Sequence, residues 1–301
     1  MTNFYKKWFW PFVLPALIVF AFVVAIPFIV GFIYSFTNWR GTYFSDPNAF
    51  GAVSMWKAFI GFDNYVNAFK NELFLDALRK TVLYTVMATI SINIFALLFA
   101  LLIESLKKGK GFFRGTFFLP NLLGGLALGF IWSIIFEVVY SKLIFDPSHL
   151  NIPFFTYMLQ DKTNWIYATV ILSTWQTAGY MMIIYINGLN NIPKSLMEAA
   201  DIDGATWWQK FSRVQVPMLA PSFTICIFLS LANSFKLLDQ NIALTNGAKW
   251  KRLLSGQILR GLADSNPPDY GLVQAEAVIF FVLVAIITLV QVKVTSGKGD
   301  E

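Results

Sequence analysis

Apolar runs of roughly twenty residues recur along this chain with few charges inside them, the first at residues 9–36 and the last at 273–292. The hydrocarbon core of a bilayer is about 30 Å thick, a distance that about 20 helical residues cross, and inside it every backbone N–H and C=O needs a partner within the chain. Such runs therefore read as transmembrane helices. Six are expected, at 9–36, 81–103, 115–136, 165–187, 216–235 and 273–292. With 56% hydrophobic, 17% aromatic and only 13% charged residues, the chain is too apolar for an ordinary soluble domain. The expected fold is all-α: a polytopic membrane protein forming a single transmembrane domain over residues 1–301.

The first run follows Lys6 and Lys7 and carries Pro15 and Pro27 as expected kinks. It is longer than a signal peptide's apolar core, and further runs follow, so it is read as a retained span. The net charge of +6 is scattered among apolar runs instead of forming a stripe, which argues against nucleic-acid binding. The single cysteine, Cys226, excludes a disulfide within the chain and sits in an apolar run as a small hydrophobe. The lone His149, between Pro147 and Asn151, reads as a solvated loop residue. No nucleotide-binding loop is present, because Gly109-Lys110 and Gly297-Lys298 lack both the upstream glycine and a following Ser or Thr.

Orientation is read from the short loop holding Lys107, Lys108, Lys110 and Arg114, which the positive-inside rule assigns to the cytoplasm. Lys293 and Lys298 suit a cytoplasmic C-terminus, and the stretch 191–217 then lies on the same side. That stretch is polar and lies between two apolar runs. Pro193 and Ser195 suit a helix start, with Glu198 at capping-box spacing, and Gly204 supplies a turn with positive φ. Two short helices are expected, one over 194–202 and one from Ala205 that ends before Pro217. Trp207, Trp208 and Phe211 offer apolar anchoring, and Glu198, Asp201 and Asp203 offer charge.

Glu198-Ala199-Ala200, Asp203-Gly204-Ala205 and Val216-Pro217 together resemble the cytoplasmic loop of importer permeases of the ATP-binding-cassette class. Gly61-Phe62-Asp63-Asn64-Tyr65, Arg114 with Pro120, and Phe235, Asp239 and Leu244-Thr245-Asn246-Gly247 are similar to segments of the carbohydrate permeases in that class. Lys80 stands where that family has Asn, and Ala248 where it has a second glycine. The resemblance implies a bacterial plasma-membrane subunit of a sugar importer. Its implied partners are a second homologous permease, two cytoplasmic ATPases and an external solute-binding protein. ATP and magnesium belong to the ATPases, and no cofactor is implied in this chain. Glu198, Ala199, Ala200, Asp203, Gly204 and Trp207 are implied as the coupling contact with the ATPase.

Within the fourth run Ser173, Gln176, Thr177 and Tyr180 fall at i, i+3, i+4 and i+7, on one helical face, and the fifth run ends in Ser230, Asn233 and Ser234. Helix packing and a hydrated substrate path both use such residues. Asn93 in the second run reads as a packing hydrogen bond. Hydroxyls and amides suit a neutral sugar, and no basic group lies inside the fourth and fifth runs; glycerol phosphate or a polyol is the alternative cargo. An ion-coupled secondary transporter or a membrane-embedded enzyme would place clustered ionisable groups in the spans, and almost none are there. Outside the spans, Phe62, Tyr65, Val66, Phe69 and Leu73 predict an amphipathic helix on the membrane surface or on the bundle.

Overall fold

The computed structural model describes residues 2–46, 51–145, 148, 150, 152–264 and 267–296; Pro147, His149, Asn151 and Lys298 lie outside the described residues. In chain order, α1 (Thr2–Phe20) passes through a π-turn (Ala21–Ala25) into α2 (Ile26–Tyr34). A short antiparallel ribbon pairs β1 (Phe44–Ser45) with β2 (Ala52–Val53). α3 (Asp63–Lys70) precedes α4 (Glu72–Ser105), and α5 (Lys110–Phe118) tightens into a 3-10 turn at Leu119–Leu122. α6 (Gly125–Ile134) widens into a π stretch at Ile135–Ile144, and α7 (Pro153–Thr156) leads to α8 (Asn164–Asn190). α9 (Lys194–Ile202), α10 (Trp207–Lys210), a further π-turn (Phe211–Gln215) and α11 (Val216–Met218) follow. α12 (Ala220–Phe235), α13 (Asp239–Thr245), α14 (Leu254–Asp264) and α15 (Tyr270–Ser296) complete the order.

Among the described residues, four helical segments are long and apolar enough to cross a membrane: Trp8–Tyr34, Glu72–Ser105, Gly125–Ile144 and Tyr270–Thr295. A fifth arises if Trp207–Met218 and Ala220–Phe235, bent by 69°, count as one span. α8 is 27 residues long, yet its hydroxyls and amides keep it below the apolarity of the others. Its residues are mostly buried within the chain, whereas those of the other spans are mostly exposed.

The observed boundaries correct several expectations. The third run does not form one helix over 115–136: Leu123 and Gly124 adopt extended backbone after Pro120, and the helix restarts at Gly125. Glu137, one residue past the expected end of that run, lies in the π stretch. At Pro27, where a kink is expected, a π-turn ends two residues before the proline, and the π-turn before Pro217 stands in the same relation. A proline ring clashes with the carbonyl four residues back, and a widened turn takes that carbonyl out of the way. The helix consequently runs through Pro217 to Met218 instead of ending before it.

Two compact units are distinguished: residues 1–74 with 258–282, and 75–257 with 283–301. In the first, Asn64 donates to the carbonyls of Ser35 and Thr37, both at 2.9 Å, and fixes α3 to the end of α2. α3 thus turns its polar Asn64 inward, leaving Phe62, Val66 and Phe69 exposed. Arg40 pairs with Asp269 at 2.9 Å, and Asn71 donates to the buried Glu276 at 2.9 Å.

The second unit is built around α8. Its start is held by Asp161, which accepts the backbone N–H groups of Thr163 and Asn164; these bonds lower the pKa of its carboxyl below the ordinary value. At Gly179 a Cβ would stand 1.8 Å from the carbonyl oxygen of Phe117, so only glycine lets α5 lie directly on α8. Asn93 of α4 donates to Ser230 of α12 at 2.9 Å and accepts from Tyr185 of α8 at 2.7 Å, the packing role expected for it. In the basic loop, Glu104 pairs with Lys110 at 2.7 Å and also with Arg114.

Candidate functional site

Inside the second unit, α4, α8, the 119–122 turn, α12 and the segment leading into α13 line a half-open cavity of about 450 Å³. Its walls are polar for reasons of helical register. Ser173, Gln176 and Thr177 share one face of α8, while Ser230, Asn233 and Ser234 share one face of α12. Five of the six residues read as a path therefore converge: Ser173, Gln176, Thr177, Asn233 and Ser234. Tyr180 does not join them. One turn further along α8 the ring of Phe118 lies 6.4 Å from Tyr180, occupying the side that the cavity takes above it.

Several of these groups are fixed by hydrogen bonds. Ser173 donates to the carbonyl of Thr169 at 2.8 Å, which leaves the Tyr84 hydroxyl as donor in the 2.7 Å contact between Tyr84 and Ser173. Gln176 donates to the carbonyl of Leu123 at 3.3 Å and accepts from Gln240 of α13 at 2.9 Å. The break at Leu123 that interrupts the third run thus frees a carbonyl to hold the cavity's glutamine. Serine, asparagine and glutamine offer both donors and acceptors, as a hydroxyl-rich solute requires.

Sequence reasoning missed Tyr84, Asn121, Lys236, Asp239 and Gln240 as wall residues. Ser230 was within reach, standing four residues before Ser234 on the same helical face. Nothing in the local spacing of Tyr84 or Asn121 distinguishes them from packing residues. Lys236 lies one residue beyond the end of α12, so a search confined to span interiors passes over it.

The second feature is the knob between α8 and α12. α9 spans Lys194–Ile202 as expected, and Gly204 turns the chain at φ +70°. The predicted capping by Ser195 and Glu198 is not formed: Pro193 occupies the cap position, and Ser195 lies one residue inside the helix. The capping box belongs instead to the other arm, where Thr206 and Gln209 bond reciprocally and start the helix at Trp207, two residues later than expected. The carbonyls of Ala199 and Ala200 accept from Asp203 and Ala205, both at 3.0 Å, closing the turn. Asp201, read as a charge for a partner, is held within the knob by Lys210 at 2.5 Å. Glu198 and Asp203 remain exposed. The Trp207 and Phe211 rings stack at 5.5 Å with 3° between planes, while Trp207, Trp208 and Ile202 are 64%, 62% and 86% exposed.

Residues 65–297 match the family model of the binding-protein-dependent transport system inner membrane component. The chain is 37% identical to the probable starch degradation products transport system permease protein AmyD of Thermoanaerobacterium thermosulfurigenes, covering 100% of this chain and 98% of that protein. It is 30% identical to the multiple sugar-binding transport system permease protein MsmF of Streptococcus mutans, over 96% of each chain. In fold it is similar to a chain of a bacterial ABC transporter that imports the acidic polysaccharide alginate, with TM-score 0.77 and 20% identity over 98% of this chain and 97% of that one.

Proposed function

Since this chain belongs to the family of binding-protein-dependent transport system inner membrane components, we propose that it is the permease subunit of an ATP-driven importer that carries neutral oligosaccharides through the cavity between α4, α8 and α12. The observation that carries this reading is the convergence of Ser173, Gln176, Thr177, Asn233 and Ser234 on one half-open cavity, in a bundle whose other spans are apolar. Polar groups at membrane depth that face a hydrated cavity are the expected lining of a solute path. The relatives named for starch degradation products and for multiple sugars support a saccharide as cargo.

In this reading residues 1–301 act as one permease domain, with α8 and the bent pair completing six spans. A second homologous permease completes the path, an external solute-binding protein loads it, and two cytoplasmic ATPases bind ATP and magnesium. The knob is the coupling contact. Glu198, Ala199, Ala200, Asp203, Gly204 and Trp207 form or shape its outer surface, and the stacked aromatic rings seat it in the ATPase. Closure of the ATPases then moves the knob as a rigid body and, with it, the two helices it joins.

Uptake of labelled maltotriose by cells carrying the assembled importer tests the path. Each neutral hydrogen bond lost costs about 0.5–1.5 kcal/mol, so replacing Gln176, Asn233 and Ser234 together by alanine should lower uptake at least tenfold while basal ATP hydrolysis persists. Tyr180→Phe should leave uptake unchanged. Undiminished uptake in the triple variant would return these residues to a packing role.

A further inference from the structure

The cavity wall carries two charged side chains that the saccharide reading does not use: Lys236, at the C-terminal end of α12, and Asp239, at the start of α13. Both residues are exposed and line the cavity, and neither side chain takes part in a hydrogen bond or ion pair among the described residues. The rest of the wall is hydroxyl, amide or apolar. The segment bearing Asp239 is firmly placed, because α13 lies against α6 so closely that a Cβ at Gly129 would stand 2.5 Å from Ala243. Its far end is closed by Asn246 and Gly247, at φ 52° and 64°.

We propose that Lys236 and Asp239 act together as a charge filter, Asp239 cancelling the pull of Lys236 on anions so that an anionic saccharide gains no electrostatic advantage over a neutral one. This rests on the reading of the cavity as the substrate path. A sphere of 450 Å³ is about 10 Å across, so any solute inside lies within about one screening length of both charges. Lys236 alone would make the cavity attractive to a carboxylate or phosphate ester. Asp239 opposes that attraction by like-charge repulsion, which is stronger in a site bounded by apolar helices than in open water. A neutral sugar loses nothing by the balance, because its hydroxyls donate to the aspartate and accept from the lysine.

The test uses the complete importer in nanodiscs, without its binding protein, so that delivery does not impose its own selectivity. Equilibrium binding of labelled maltotriose is measured with unlabelled maltotriose and with trigalacturonate as competitors. In the native protein trigalacturonate should compete no better than maltotriose. Asp239→Asn should shift the ratio of the two inhibition constants toward trigalacturonate by about tenfold, the scale of one unit charge acting at partly screened range. Lys236→Gln should shift it by a similar factor the other way, and Asp239→Glu should hold it constant. If Asp239 serves only to start α13, its substitutions change both affinities alike and the ratio stays fixed. A fixed ratio in both Asp239→Asn and Lys236→Gln overturns the filter and leaves the path reading intact. Absence of displaceable maltotriose binding to the native complex overturns the path reading, and the filter with it.

Discussion

Gly204 offers a test in which steric and conformational effects separate cleanly. Its φ of +70° lies in the left-handed region, while nothing stands within 4 Å of where a Cβ would project. A substitution therefore meets no neighbour, and its cost is that of the backbone alone, about 1–2 kcal/mol for an ordinary L-residue. Asparagine tolerates this conformation best among side-chain-bearing residues, and β-branched valine worst. The turn is otherwise held by a few weak links, among them Gly204 N–H to Asp201 C=O at 3.1 Å and the exposed Asp201–Lys210 pair. Each is worth about 1 kcal/mol or less, so the strain of valine exceeds any one of them and is relieved by swinging α10 relative to α9. Co-purification with the ATPase, and hydrolysis stimulated by loaded binding protein, should fall in the order Gly, Asn, Ala, Val, with equal amounts of permease in the membrane. Glu198→Ala should give a mild defect with no loss of fold, since that carboxylate caps nothing in the knob. Normal stimulation in Gly204→Val would refute the coupling role, and equal damage from Asn and Val would show that φ is not the cause.

Two further expectations concern the packing of α8 against its neighbours. Gly179→Ala places its methyl group against the backbone of Phe117, which cannot yield as a side chain can; overpacking of this kind costs about 1–3 kcal/mol, and the purified complex should melt several degrees lower, an unchanged melting temperature counting against the close contact of α5 and α8. Asn93→Leu removes two interhelical bonds and leaves the Tyr185 hydroxyl without its acceptor, a loss of about 1–2 kcal/mol by membrane-protein measures, which Tyr185→Phe in the same background should partly restore.

Where local chemistry decides the backbone, the sequence was a sufficient guide: glycine at position 204 marked the turn, and the bounds of α9 followed from Pro193 and the polar insert. The cavity face of α8 was legible for the same reason, since helical periodicity puts Ser173, Gln176 and Thr177 together without knowledge of the partner helices. Periodicity does not report where along a face the neighbour changes. Tyr180 shares the stripe but meets Phe118, a fact that depends on how α5 lies across α8. The capping of the knob misled because Ser195 and Glu198 have capping-box spacing, whereas Pro193 takes the cap position of α9 and Ser195 sits a residue too deep; the box that forms, Thr206 with Gln209, starts α10. The break at Leu123 and the continuation through Pro217 were hidden for a different reason. Both are negotiated by altered hydrogen-bond register, a 3-10 turn in one case and a π-turn in the other, and hydropathy is blind to register.

The 69° bend between α11 and α12 has Leu219 at its corner, wholly buried, at a point where a Cβ on Gly188 of α8 would touch it at 2.8 Å. Under the proposed coupling role, that corner is the fulcrum. The knob is the handle of a pair of tongs whose two jaws are α8 and α12, and the jaws carry the serines, glutamine and asparagine that line the cavity. Under the proposed coupling, a tilt of the knob about Leu219 that carries α12 toward or away from α8 changes the space between the jaws, and the grip on that one leucine resists it.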